Sequence, residues 1–195
     1  MFLTVDLASK FSAAILRDSS GQVLWQGDSM GKSSLEWVET LAKLVAGIAP
    51  RHELHILVED VPYGISNQAM VKPVLRLQGM LIHALGNAEF YFINPSSWQR
   101  DYPGVARSPK GMTKAEGLKA RVAAAKTEAQ ALNYHAPDLV AKWQKENPEL
   151  KPLKKYTAHL EKAMTDYVDA FLMNDWLQRH VHEYKTLSGV QPPII

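Results

Sequence analysis

The sequence predicts an α/β protein built on a five-stranded mixed sheet, with an antiparallel meander first, parallel strands after it, and helices on its faces. Three observations predict it. Short apolar runs near the N-terminus are separated by turn residues rather than by helices. From residue 33 onward, apolar strand-like runs alternate with segments of helical period, which is the pattern of parallel strands joined through helices. Two of the strand-like runs also end in acidic residues.

Residues 2–6, 12–17 and 22–26 read as three strands in series, with Asp18-Ser19-Ser20-Gly21 supplying the turn between the last two. Ser33 or Ser34 is placed to cap a helix on which Leu35, Val38, Leu41, Ala42, Val45 and Ile48 keep helical spacing, and Pro50 follows its end. His55-Ile56-Leu57-Val58, reached through that helix, reads as a buried parallel strand ending in Glu59 and Asp60. Residues 67–86 form a second helix, with Pro73 as its start or a kink and Gly86 at its close. A strand over 88–93 follows, then a loop from Asn94 to Met112, then an Ala- and Lys-rich helix from Thr113 to Leu132. Residues 136–155 carry three prolines and many lysines and read as an exposed insertion. A last helix runs from about Thr157 to Glu183, ahead of an apolar tail, Val190 to Ile195.

A chain of 195 residues with 46% hydrophobic and 22% charged residues fits one globular domain over 1–195. The absence of cysteine excludes disulfides, thiolate nucleophiles and Cys-ligated zinc, and fits a reducing compartment, so the expected location is the cytoplasm. No run approaches the ~18 apolar residues of a membrane span, and the N-terminus has no signal-peptide pattern, so neither membrane nor export is expected. Net charge is only +2, but its distribution is uneven. Arg100, Arg107, Lys110, Lys114, Lys119, Arg121 and Lys126 face only Asp101 and Glu116 in the same stretch, which puts a positive field on the second half.

The acidic residues carry the chemistry. Asp6 ends the first strand, Glu59 ends the fourth, and Asp166 and Asp169 are three apart in the last helix. If strands one and four are parallel neighbours, Asp6 and Glu59 leave the same sheet edge, while the i,i+3 spacing puts Asp166 and Asp169 on one helix face. Four like charges at one point are unfavourable unless cations neutralise them, and carboxylate oxygens are what Mg²⁺ and Mn²⁺ prefer. The cluster therefore predicts two such ions per active site, in the manner of phosphodiester hydrolysis by metals roughly 3.5–4 Å apart. For any one of these acids alone, a helix cap or surface charge is the ordinary role. Their apolar neighbours, Leu3, Val5, Ile56, Val58, Val168 and Phe171, argue for burial instead.

Leu3-Thr4-Val5-Asp6, Leu57-Val58-Glu59-Asp60-Val61, Arg76-Leu77-Gln78-Gly79 and Asp166-Tyr167-Val168-Asp169-Ala170 together resemble the RuvC family of Holliday-junction resolvases, and the likeness covers most of 1–132 and 157–180. The resemblance implies a ribonuclease H-like fold and a homodimer that nicks two opposed strands of a four-way DNA junction with Mg²⁺ or Mn²⁺, leaving 5′-phosphate ends. It implies Asp6, Glu59, Asp166 and Asp169 as metal ligands, and Lys114 as the match to the family's catalytic lysine, with Lys110 close behind. Contacts to DNA are expected from Tyr63, Arg100, Arg107, Lys110, Lys114, Lys119 and Arg121.

The departures point to a divergent, phage-type member, which would work in the cytoplasm of a bacterial host. Asp6-Leu7-Ala8 stands where the family has Asp-Pro-Gly, Pro62 stands at the position of the family's junction-wedging aromatic with Tyr63 one step later, and the 136–155 segment is long. The open alternatives are a broader nuclease for branched DNA or RNA–DNA hybrids, and a DNA-binding module that has lost catalysis.

Other signals are weaker. Gly31-Lys32-Ser33 follows Gly27 one residue too closely for a phosphate-binding loop, so no nucleotide cofactor is expected. His52/His55 and His180/His182 lack further ligands at matching spacing and read as surface histidines. Trp25, Trp37 and Trp176 fit apolar faces, whereas Trp98, beside Arg100 and Tyr102, is a candidate for stacking on DNA. The lysines of 142–162 read equally as a solvated face or as phosphate contacts.

Overall fold

A computed structural model describes residues 1–7, 12–29, 32–48, 50, 53–60, 68–105, 111–150 and 154–188. Tyr63, Arg107 and Lys110 lie outside the described residues, as do Pro62, Gly31, His52 and the 190–195 tail.

The chain forms β1 (Phe2–Asp6), β2 (Ala13–Arg17), β3 (Val23–Asp28), α1 (Ser34–Ile48), β4 (His55–Glu59), α2 (Gln68–Ala84), β5 (Glu89–Ile93), α3 (Pro95–Gln99), α4 (Lys114–Ala131), α5 (Leu139–Glu146) and α6 (Lys154–Ser188). The sheet runs β3-β2-β1-β4-β5. β1 pairs antiparallel with β2, and β2 with β3, whereas β4 is parallel to both β1 and β5. The expected meander and parallel strands are both present.

Local chemistry accounts for the turns and starts. In the β2–β3 turn the Asp18 Oδ1 accepts from the backbone N–H groups of Ser20 and Gln22, and Gly21 takes φ +89°, a conformation that suits glycine. Ser33 and Glu36 form reciprocal bonds at the start of α1, and Thr113 with Glu116 form a capping box on α4. α2 begins at Gln68, five residues ahead of Pro73, so the proline sits inside the helix and does not start it.

Two segments differ from expectation. The 94–112 stretch is not all loop: Asn94 accepts from Ser96 N–H, Pro95 takes the first helical position, and the short helix α3 follows. The 136–155 insertion contains α5, capped by Asp138, whose side chain accepts from Ala141 N–H. A five-residue helix is too short to show a period, and in the insertion the lysines and prolines outweigh the apolar signal.

Strand alternation divides the core. Leu3, Val5, Ala14, Leu16, Ile56 and Val58 face α1 and α2, packing on Trp37, Leu41, Leu77 and Leu81. Ala13, Ile15, Leu57, Tyr91 and Ile93 face the other way, onto Phe171, Leu172, Trp98 and Tyr102. Period-2 alternation places Thr4 and Asp6 on this second face, together with Glu59, two residues beyond Leu57. Trp37 and Trp176 are buried as expected, and Trp25 is half-buried against the first core. Trp98 is fully buried, so it is not a surface platform for bases.

No described helix is long and apolar enough to cross a membrane.

Candidate active site

The sheet edge at the ends of β1 and β4 brings the first two acids together. Val5 pairs with Val58 in parallel register, so Asp6 and Glu59 are the next residues on adjacent strands. α6 brings the other two. It is pinned to the sheet by a row of side chains at helical spacing: Thr4 Oγ1 donates to Ala170 O at 2.6 Å, and Asn174 Nδ2 donates to Phe2 O at 2.8 Å and Ile15 O at 3.3 Å. Gln178 continues the row, donating to Asp18 O and to Asn174 Oδ1, each at 3.1 Å. One turn back from Ala170 is Asp166, and two residues on from Thr4 is Asp6. The fixed contact between Thr4 and Ala170 therefore sets the spacing of the acids.

Asp6, Asp166 and Asp169 are all buried, and with Glu59 they line one open cleft of about 1010 Å³. Its other wall is α4, which contributes Leu118, Lys119, Arg121, Val122 and Lys126, while Asp138 and Val140 come from the α5 segment. The buried residues of α4 are Gly117, Ala125 and Ala129, small enough for α4 to lie close on α6.

Each acid has a different environment. Asp6 has no hydrogen-bond partner among the described residues. Burial, then the charges of Glu59, Asp166 and Asp169, push its pKa well above the ordinary carboxylate range. Glu59 is pushed up to about 7 by burial, against the opposing hydrogen bond from Trp98, whose Nε1–H donates to Glu59 Oε1 at 3.1 Å. Gln78 Nε2 donates to the Glu59 carbonyl at 3.1 Å and holds the backbone of the same residue. Asp166 is raised to about 6 by burial, although Lys162 Nζ donates to both of its oxygens at 2.8 and 2.9 Å. Asp169 is raised by burial in spite of Arg121, whose guanidinium donates to Oδ2 at 2.8 Å, and its buried Oδ1 has no partner among the described residues.

Two of the four acids are thus held by internal cations. Among the described residues no three acidic or histidine side chains stand close enough together to hold a metal ion as they are placed. The donors still fit a hard divalent cation. All are carboxylate oxygens, their burial penalises the bare charges, and the Asp169 Oδ1 is a buried acceptor with no donor among the described residues.

Comparisons with known proteins add little to this geometry. No family model and no curated protein sequence matches the chain. Among solved structures it is similar to one titled "Thermus thermophilus RuvC structure", with 12% sequence identity, a TM-score of 0.49, and coverage of 92% of this chain and 96% of that one. A likeness of that degree decides nothing about activity.

The basic residues expected to contact DNA distribute unevenly. Lys119 and Arg121 line the cleft, Arg121 with its guanidinium on Asp169. Lys114 is exposed in the first turn of α4, and Arg100 is exposed just after α3; neither lines the cleft. Three residues of the site were not assigned to it from sequence. In the sequence Trp98 reads as a candidate for stacking on DNA and not as a donor to Glu59, Gln78 as part of a motif on the second helix, and Lys162 as one of the lysines that suit a solvated face and phosphate contacts equally. Only Lys162 carries a local signal, its i,i+4 spacing to Asp166.

Proposed function

We propose that this protein is a metal-dependent endonuclease with a ribonuclease H-like fold, of the RuvC type, that resolves four-way DNA junctions by paired symmetric nicks. The observation that carries the proposal is the meeting of four carboxylates from three elements in one cleft, at the ends of parallel strands β1 and β4 and on one face of α6. The mixed five-stranded sheet, with a meander at one edge and parallel strands at the other, supports that reading of the fold.

Asp6, Glu59, Asp166 and Asp169 would hold Mg²⁺ or Mn²⁺, two per site. Bound there, such ions supply activation of a water and neutralisation of charge on the phosphate and its leaving oxygen, giving 5′-phosphate ends. The chain's own residues prepare the site. Trp98 and Gln78 fix the side chain and backbone of Glu59, Arg121 fixes one oxygen of Asp169, and the α6 contacts set the distance between the helix acids and the strand acids. Lys119 and Lys126, on the α4 wall, are placed to take phosphates beside the scissile one. Lys114, Arg100, Lys110, Arg107 and Tyr63 are proposed as further contacts to the same substrate, Lys114 also as the catalytic lysine that the resemblance implies.

A two-fold enzyme suits a two-fold junction, and α2 offers the surface for a homodimer: Leu75 and Ile82 are 49% and 39% exposed on it, one heptad apart.

The test is cleavage of a labelled mobile four-way junction beside linear duplex, fork and flap controls, in Mg²⁺ or Mn²⁺ against EDTA. Paired nicks in the junction that vanish in EDTA and in Asp6→Asn, with junction binding retained by the variant, are the expected result. Equal cutting of forks and flaps would replace junction resolution with a broader branched-DNA nuclease, and no cutting of any DNA or RNA–DNA hybrid would remove the enzyme.

A further inference from the structure

Among the four acids, Asp166 differs from the rest in having both oxygens occupied. Lys162 Nζ donates to Oδ1 at 2.8 Å and to Oδ2 at 2.9 Å from one turn earlier on α6. Asp6 has no described partner, Glu59 is bonded through Oε1 only, and Asp169 keeps Oδ1 open. The two ends of the Lys162 pair are also unlike each other. The Asp166 side chain is 7% exposed, while that of Lys162 is 62% exposed and lines the cleft. Arg121, by contrast, is only 23% exposed and reaches Asp169 from a different helix, so it is tied into the packing of α4 on α6. An exposed lysine on a flexible stem can leave its carboxylate at little cost, whereas the buried carboxylate needs some cation beside it.

We propose that Lys162 is a displaceable internal cation that holds Asp166 and competes with a divalent ion for it, so that the metal site using Asp166 fills only when Lys162 swings out. The idea rests on the metal-dependent reading above. It divides the four acids into two groups. Asp6, Glu59 and Asp169 each offer an oxygen with no described donor on it, whereas at Asp166 a divalent ion would stand against the Lys162 ammonium on both oxygens until it leaves. The two metal positions are then unequal in affinity before any substrate is bound. The lysine also keeps the helix acid neutralised while the cleft is empty, which is a role for it in the resting protein and not in the chemical step.

The experiment is a calorimetric titration of the full chain with MnCl₂, without DNA, at fixed ionic strength. Wild type is compared with Lys162→Met, which keeps the aliphatic stem, Lys162→Arg, which restores a donor, and Lys119→Met, which removes a cation that lines the cleft but has no described bond to a carboxylate. Thermal melting in EDTA confirms that each variant is folded; position 162 is exposed enough for all of them to be. Lys162→Met should tighten the weaker Mn²⁺ site by about tenfold or more, since a unit charge a few ångströms away is removed from a partly buried site. Lys162→Arg should restore the wild-type isotherm, and Lys119→Met should leave the weaker site within about threefold of wild type. Equal tightening by Lys119→Met and Lys162→Met would overturn the proposal, since general charge and not the contact would then set affinity. Unchanged stoichiometry and affinity in Lys162→Met would overturn it as well, while the metal-dependent reading stood. Absence of Mn²⁺ binding in every protein would overturn both.

Discussion

Trp98 shows how one side chain links the core to the chemistry. Its ring is fully buried and sits edge-on to Tyr102, 6.2 Å between centroids, while its one polar atom reaches Glu59. A buried indole N–H without a partner is costly, so the bond stabilises both residues and fixes which oxygen of Glu59 is left for the cleft. Trp98→Phe keeps most of the apolar packing and deletes the donor. It should lower divalent-metal affinity by about 10–100-fold, the usual size of a lost partner behind a ligand. The pH–rate profile gives an independent reading of the same contact. The hydrogen bond favours the ionised carboxylate, so its loss moves the acidic limb of the cluster to which Glu59 belongs to higher pH. An unchanged Mn²⁺ isotherm and an unchanged acidic limb would show that Trp98 only fills space. Nothing in Asn94-Pro95-Ser96-Ser97-Trp98 names Glu59 as the partner, because the pairing depends on where a five-residue helix docks and not on spacing within the chain.

At the scale of elements, α6 decides whether the site exists. It is 35 residues and so about 52 Å long, and it crosses β1 and β2 with Ala170 and Asn174 fully buried at the crossing. Asn174 is the polar pin, with its amide donating into β1 and β2 and its oxygen accepting from Gln178. Asn174→Ala should destabilise the protein by about 2–4 kcal/mol in urea denaturation, from a deleted buried side chain and the bonds lost with it. A loss below about 0.5 kcal/mol, the size of an ordinary surface change, would mean that packing alone seats the helix. The elements themselves were largely legible. β1, β2, β4, α1, α4 and the middle of α6 follow from apolar period and caps, with ends that differ by one to a few residues. α3 was hidden by its length, although Asn94 followed by Pro95 is a helix start in its own right. α5 was hidden by its composition, although Asp138 ahead of Leu139-Val140-Ala141 is a cap before an apolar run. The acids were legible for a different reason. Strand parity and helix spacing fix the direction of a side chain as soon as neighbouring strands are known, whereas the partners Trp98, Gln78 and Arg121 come from other elements and have no periodic signature.

For the molecule as a whole, the cluster couples stability to pH and to metal with opposite signs. Burial raises all four carboxylates above their ordinary pKa, Glu59 to about 7 and Asp166 to about 6. An acid raised on folding binds its proton more tightly in the folded state. Its contribution is therefore complete below the unfolded value, near 4, and is lost as pH rises through the folded one. Asp18, Glu36 and Glu116 run the other way: hydrogen bonds from Ser20, Ser33 and Thr113 hold them low, so their contribution is present above about 4 and lost only in more acid solution. Between pH 5 and 8 the cluster dominates among these carboxylates. In EDTA the protein should lose stability across that range, by on the order of 2–3 kcal/mol for a shift of about two units at one group. If the ionised cluster holds divalent cations as proposed, and the unfolded chain does not, saturating Mg²⁺ should raise the melting temperature more at pH 8 than at pH 5 and flatten the slope. Paired melting curves at the two pH values, with Mg²⁺ and with EDTA, measure this directly. A melting temperature in EDTA that holds or rises from pH 5 to pH 8 would mean that Arg121 and Lys162 already neutralise the acids fully, leaving no unfavourable charge for a metal to relieve.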